Sequence, residues 1–108
     1  GIAKQCRDEF AKKSFEGMAL EKANHRLHEI WTELKDEVQP FLISVEEMEE
    51  LLKSSCGPVN YMELGVEADL YRDAIVHCRE MRNRFSFLDI AADAGILEDF
   101  AAEEMNCA

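Results

Sequence analysis

From Leu20 the apolar residues fall at Leu20, Ala23, Leu27, Ile30, Trp31, Leu34 and Val38, almost entirely in steps of three and four. That spacing keeps them on one face of an α-helix, and Pro40 ends the run by biasing Gln39 away from helical angles. Ile2, Cys6 and Phe10 continue a similar face upstream. One straight helix from Ile2 to Val38 would be about 55 Å long at about 1.5 Å per residue. A compact domain of this length has a radius of gyration of about 13 Å. The helix therefore either breaks near Ser14 to Gly17 or projects from the body, and a break or bend near Gly17 is the favoured expectation.

The remaining punctuation is also helical. Ser44 and Glu47 read as a capping box, S-x-x-E, ahead of Met48, Leu51 and Leu52 as a buried side. Gly57–Pro58 ends that helix, with Gly57 expected in the left-handed position. Asn60 is placed to cap a short turn that closes at Gly65. A third helix begins near Glu67, with acidic Glu67 and Asp69 favourable in its first turn. Its expected inner face is Leu70 or Tyr71, then Ala74, Ile75, Cys78 and Met81. Ser86 opens a fourth helix with Asp89 as its capping partner. Phe87, Leu88, Ile90, Ala91 and Ala94 are its packing residues, and Gly95 is its stop. Residues 98–108 read as an acidic tail that adds a short helix with Phe100 and Met105. No segment alternates as a strand does. The expectation is one all-α domain over 1–108, an irregular antiparallel bundle of about four to six helices.

Apolar residues make up 47% and charged residues 32%, enough apolar surface to build a core and too much for a disordered chain. The net charge of −11 opposes binding to nucleic acid or an anionic membrane, since both require a basic surface. No apolar run is long enough to span a bilayer, and no secretory leader stands at Gly1, so a cytoplasmic protein is expected. Carboxylates cluster at Glu46–Glu50 and at Glu98, Asp99, Glu103 and Glu104, where a solvated face outweighs a cation site. The cysteines Cys6, Cys56, Cys78 and Cys107 are widely spaced and expected reduced. Cys6 and Cys78 lie on apolar stripes, and Cys107 is expected to be exposed.

Catalytic chemistry is hard to build from these residues. There is no G-x-G-x-x-G and no G-x-x-x-x-G-K-[ST], and the five glycines are scattered. His25 and His28, with Glu29, lie within about one helical turn and are the weak candidates for a metal, but a site needs a third ligand from elsewhere. His77 diverges from Cys78 on a helix. Arg79, Arg82 and Arg84 form the best polar group. A structural role, forking onto carboxylates to lock the corner before Ser86 and Asp89, is weighed above a phosphate clamp.

The stretch Glu80–Met81–Arg82–Asn83–Arg84–Phe85–Ser86–Phe87–Leu88–Asp89, followed by Ala94–Gly95–Ile96–Leu97, resembles the C-terminal signature of the glycerol-1-phosphate dehydrogenase family. That family belongs to the iron-containing alcohol dehydrogenase and dehydroquinate synthase-like superfamily. Cys56–Gly57–Pro58–Val59 and Glu63–Leu64–Gly65–Val66 are similar to its Gly–Pro turn and the start of its penultimate long helix. Cys6, Glu9, Lys12 and Lys13, running into Trp31 and Leu34, are similar to the long helix before that. The resemblance implies an oxidoreductase with an N-terminal nucleotide-binding domain that uses NAD(P) and a divalent metal, zinc, iron or nickel, between its domains. The family's metal ligands, an Asp and two His, match no residue here, so no catalytic, cofactor-binding or metal residue carries over. The chain then reads as the helical C-terminal portion of such an enzyme, inactive alone, with the missing nucleotide-binding domain, or a further copy, as its partner. The rival expectation is a stand-alone helical interaction module. A helical metal or redox protein using His25, His28 and the cysteines ranks last.

Overall fold

A computed structural model describes residues 1–107, with side chains through Met105. The described residues form helices and turns with no strand, in the order α1 (Ile2–Phe10), α2 (Gly17–Val38), α3 (Val45–Ser54), α4 (Ala68–His77), α5 (Phe87–Asp93) and α6 (Leu97–Cys107). Short 3-10 turns follow α2 at Gln39–Phe41 and α4 at Cys78–Met81. The expected all-α bundle is the observed class, and among the described residues no helix is long and apolar enough to cross a membrane.

The break between α1 and α2 falls where the length argument required it. A turn after Phe10 precedes extended Glu16 and left-handed Gly17 (φ 52°), and α2 then runs uninterrupted to the turn at Pro40. Ser44 caps α3 by accepting from the Glu47 N–H at 3.1 Å. The Asn60 turn forms too: the Asn60 side-chain Oδ1 accepts from the Glu63 N–H at 3.0 Å, and Gly65 takes φ 67°.

The end of α3 departs from expectation. Cys56, not Gly57, occupies the left-handed position, at φ 56°. The helix stops one residue earlier than the glycine implied. The Gly57 N–H then reaches back to the Leu52 carbonyl at 2.8 Å and the Cys56 N–H to the Lys53 carbonyl at 3.0 Å, the paired bonds of a Schellman cap. Gly57 is needed for a different reason: a Cβ there would stand 3.3 Å from the Leu52 carbonyl oxygen. Since a side chain at positive φ costs about 1–2 kcal/mol, Cys56→Gly should stabilise the chain by up to about 1 kcal/mol after its added unfolded-state entropy. Urea unfolding checks this, and a loss of stability would contradict the cap assignment.

Packing is sparse. Among the described residues only Leu97, Ala101 and Asp89 are buried. Met48, Leu51 and Leu52, expected inside, are exposed, as are Leu70, Cys78, Met81, Phe87 and Ala94. Among the described residues no helix packs closely on the stripe of α3, and α6 covers those of α4 and α5 only in part. The short helix expected in the acidic tail is α6, Leu97–Cys107, which packs on α4 and α5 and contributes both buried apolar residues. Gly95 (φ 76°) makes this possible. Its N–H bonds the Ala92 carbonyl and that of Ile96 bonds Ala91, turning Leu97 inward. The radius of gyration is 16.2 Å, against about 13 Å for a compact chain of this length. The accessible surface is 8646 Å², against about 6,100 Å² for a compact monomer of this mass.

Candidate functional site

The most constrained polar group in the molecule lies where α1, the turn after α4 and the start of α5 meet. Asp89, in the first turn of α5, is 2% exposed. Ser86 immediately precedes the helix, so its backbone N–H and hydroxyl reach Asp89 Oδ2 at 2.8 and 2.9 Å. Lys13, just past α1, places Nζ 2.9 Å from both carboxylate oxygens and donates to the Arg84 carbonyl at 2.9 Å. Arg79 Nη1 stands 3.4 Å from Oδ1. The Phe10 ring completes the enclosure, 5.0 Å from the Arg79 guanidinium carbon and 5.9 Å from Lys13 Nζ. Phe15 and Phe85 meet edge to face at 6.1 Å.

The electrostatics follow from this geometry. Burial by itself raises the Asp89 carboxyl, but hydrogen bonds from Lys13 and Ser86 and the Lys13 charge more than offset it, so the group sits below the usual carboxylate value. One turn on, burial is the largest influence on Asp93 and raises it. Arg79 pulls it down, while the Asp89 charge adds to the rise. The Asp93 carbonyl accepts from Asn24 Nδ2 at 2.7 Å, which ties α2 to the end of α5. Arg79 Nε is buried without a hydrogen-bond partner among the described residues.

These opposite shifts give opposite pH signatures. A depressed Asp89 contributes stability at neutral pH that is lost as pH falls through its folded-state value. A raised Asp93 costs stability at neutral pH, and that cost fades on acidification. Asp93→Asn should therefore raise stability at pH 7, and the gain should shrink towards pH 4. Denaturant midpoints at the two pH values test it, and an equal or larger gain at pH 4 would refute the assignment.

This group ties the residue after α1, the turn after α4 and the start of α5 together. An ionised carboxylate has about four acceptor positions. Asp89 meets Lys13 through both oxygens, Arg79 through one and Ser86 through two contacts. No acceptor position is left to take a substrate proton.

The sequence candidates divide around this centre. Ser86 and Asp89 are in it. Arg82 and Arg84 are not: both side chains are exposed and make no ion pair among the described residues, and Arg84 takes part only through its carbonyl. Arg79 and Lys13 supply the positive charge instead. Spacing did not reveal Lys13, which is 76 residues from Asp89.

His25 Nε2 lies 3.4 Å from Glu29 on the open side of α2, and exposed His28 lines an apolar groove. His77 Nδ1 is 3.1 Å from Glu80 Oε1. No three His, Cys, Asp or Glu side chains converge as metal ligands among the described residues, and no strand or glycine-rich loop offers a dinucleotide platform. The residues described do not fit the divalent metal or NAD(P) that the resemblance implies. Cys6, Cys56 and Cys78 are free thiols, and the Cys107 side chain lies outside those described.

Apolar surface is the other notable feature. The groove between α2 and α5, about 410 Å³, is lined by Leu27, Trp31, Ile90, Ala94 and Ile96, with Trp31 49% and Ile96 57% exposed. A second groove of about 300 Å³, beside Phe15, Ile30, Leu34 and Phe85, flanks α2.

Comparison with protein-family models, with curated proteins and with solved structures finds no match to this chain.

Proposed function

We propose that this chain is a helical subdomain that works by packing against another protein surface. We further propose that it is the C-terminal helical portion of a glycerol-1-phosphate dehydrogenase-like oxidoreductase of the cytoplasm. The observation that carries the first part is surface. The 8646 Å² exposed exceeds that of a compact monomer of this mass by about 2,500 Å². A standard protein–protein interface removes about 1,600 Å² in total, about 800 Å² from each partner. Large apolar side chains are among the exposed residues, Trp31 of α2 and Met48 and Leu51 of α3 included.

The second part rests on the resemblance of residues 80–97. The geometry adds that this stretch is a packing element, in which Ser86 and Asp89 secure the corner and Gly95 turns α6 inward. In that parent the nucleotide and metal sites would belong to residues beyond this chain, and α2 would bear on the nucleotide-binding domain. The substrate would be a polyol phosphate.

The purified 108-residue chain should not oxidise NADH with dihydroxyacetone phosphate and a divalent metal, whereas the product of its complete gene should. Turnover by the chain alone overturns the subdomain reading. A complete gene product with no such activity overturns the dehydrogenase reading. In that case the helical interaction module is left, favoured by the exposed ridge of α3.

A further inference from the structure

An exposed apolar ridge begins at Phe41. Phe41 is 87% exposed and Val45 72%, and Leu42, Ile43, Met48, Leu51 and Leu52 are also exposed. Within α3, positions 45, 48, 51 and 52 form one stripe. Among the described residues no other helix packs closely on α3, and the stripe stays largely open to solvent. Glu47 and Glu49 border it on its two sides, Glu46 and Glu50 lie behind, and Glu104 of α6 approaches Val45 and Glu49 across a shared cavity. Lys53 is the single cation on the helix, and Glu49 already pairs it at 2.8 Å.

We propose that this acid-rimmed ridge docks a basic amphipathic helix supplied by another polypeptide surface. A helix laid along it would place its apolar face on Met48, Leu51 and Leu52 and its lysines or arginines against Glu47, Glu49 and Glu104. Methionine in such a surface adapts to different partner side chains, and a rim of one sign selects partners of the other. A second copy of this chain is the wrong occupant: it would bring another −11 of charge and its own carboxylates to the same place. This inference does not depend on the dehydrogenase kinship.

The test uses two labelled synthetic 18-residue helices with the same leucine face, one with lysine on its polar face and one with glutamate, titrated into the full chain by fluorescence anisotropy. The lysine helix should bind at least about 10-fold tighter than the glutamate helix, and more weakly as salt rises. Met48→Ser together with Leu51→Ser keeps the net charge, so loss of at least about 10-fold in that variant places the helix on the ridge and not on the acidic surface at large. Circular dichroism confirms that the exposed substitutions leave the helices intact, and Glu47→Gln with Glu49→Gln should weaken binding independently. Equal binding of the two helices, or lysine-helix binding untouched by the serine pair, overturns the proposal. So does a chain that sediments as a dimer through this ridge. The NADH assay is blind to all three outcomes, so the two proposals fail separately.

Discussion

Asp89→Ala is expected to remove most of the chain's stability at room temperature. The substitution strands Lys13, whose side chain is 5% exposed, and Arg79, at 17%, without their shared acceptor. It also removes the capping partner of the Ser86 N–H. Breaking a buried ion pair by removing one partner costs about 3–5 kcal/mol, because the remaining charge stays desolvated. Domain stabilities are typically about 5–15 kcal/mol, and a chain whose described residues bury only two apolar side chains belongs at the low end. Lys13→Met should cost a similar amount, since Asp89 would keep only Ser86 and the longer Arg79 contact. The double variant should cost less than the two single effects added together, by about 0.5–3 kcal/mol, because the groups share one network. Far-UV circular dichroism with urea titration measures all three. A loss under about 1 kcal/mol for Asp89→Ala, or strictly additive effects, would show that this cluster does not hold the corner.

The cluster also marks the limit of what could be read from the chain. Ser86 and Asp89 were legible because their bonds are local: three residues on a helix fix both partners. Arg79, ten residues from Asp89, was recognised as part of an arginine group, but neighbouring arginines look alike until a backbone orients them. The turn after α4 brings Arg79 onto Phe10 and leaves Arg82 and Arg84 outside. Lys13 had no local signal, because its role comes from α1 crossing the end of α4. The sequence located helices by the same logic, through periodicity and caps. It misplaced the left-handed residue at the end of α3 because two backbone demands are adjacent there. Cys56 bears the positive φ and Gly57 bears the close approach to Leu52, and a glycine signals either. Periodicity also says which face of a helix is apolar without saying what lies opposite. So Met48, Leu51 and Trp31 read as interior and are exposed, whereas residues 98–108 read as solvated and hold Ala101 at 0% exposure.

Leu97→Ala is the second large effect expected. Leu97 is 4% exposed, where α6 meets α5 just past Gly95, and truncating a buried leucine costs about 2–5 kcal/mol. With Ala101 as the only other buried apolar residue among those described, no surrounding core can collapse to fill the space. Ala101→Leu should cost about 1–3 kcal/mol by overpacking the same contact. Trp31→Ala makes the informative contrast. Its ring is half exposed in the groove between α2 and α5, so in the 108-residue chain the substitution should cost under about 1 kcal/mol despite deleting the chain's one tryptophan side chain. If that groove is covered in the complete gene product, the same substitution there removes a buried aromatic, worth about 3–5 kcal/mol. Unfolding measured on both proteins separates the cases. Leu97→Ala should be severe in each, and Trp31→Ala severe only where a partner surface lies on α2. A Trp31→Ala cost equally small in both would leave the grooves of α2 open to solvent and remove the packing argument for a parent enzyme.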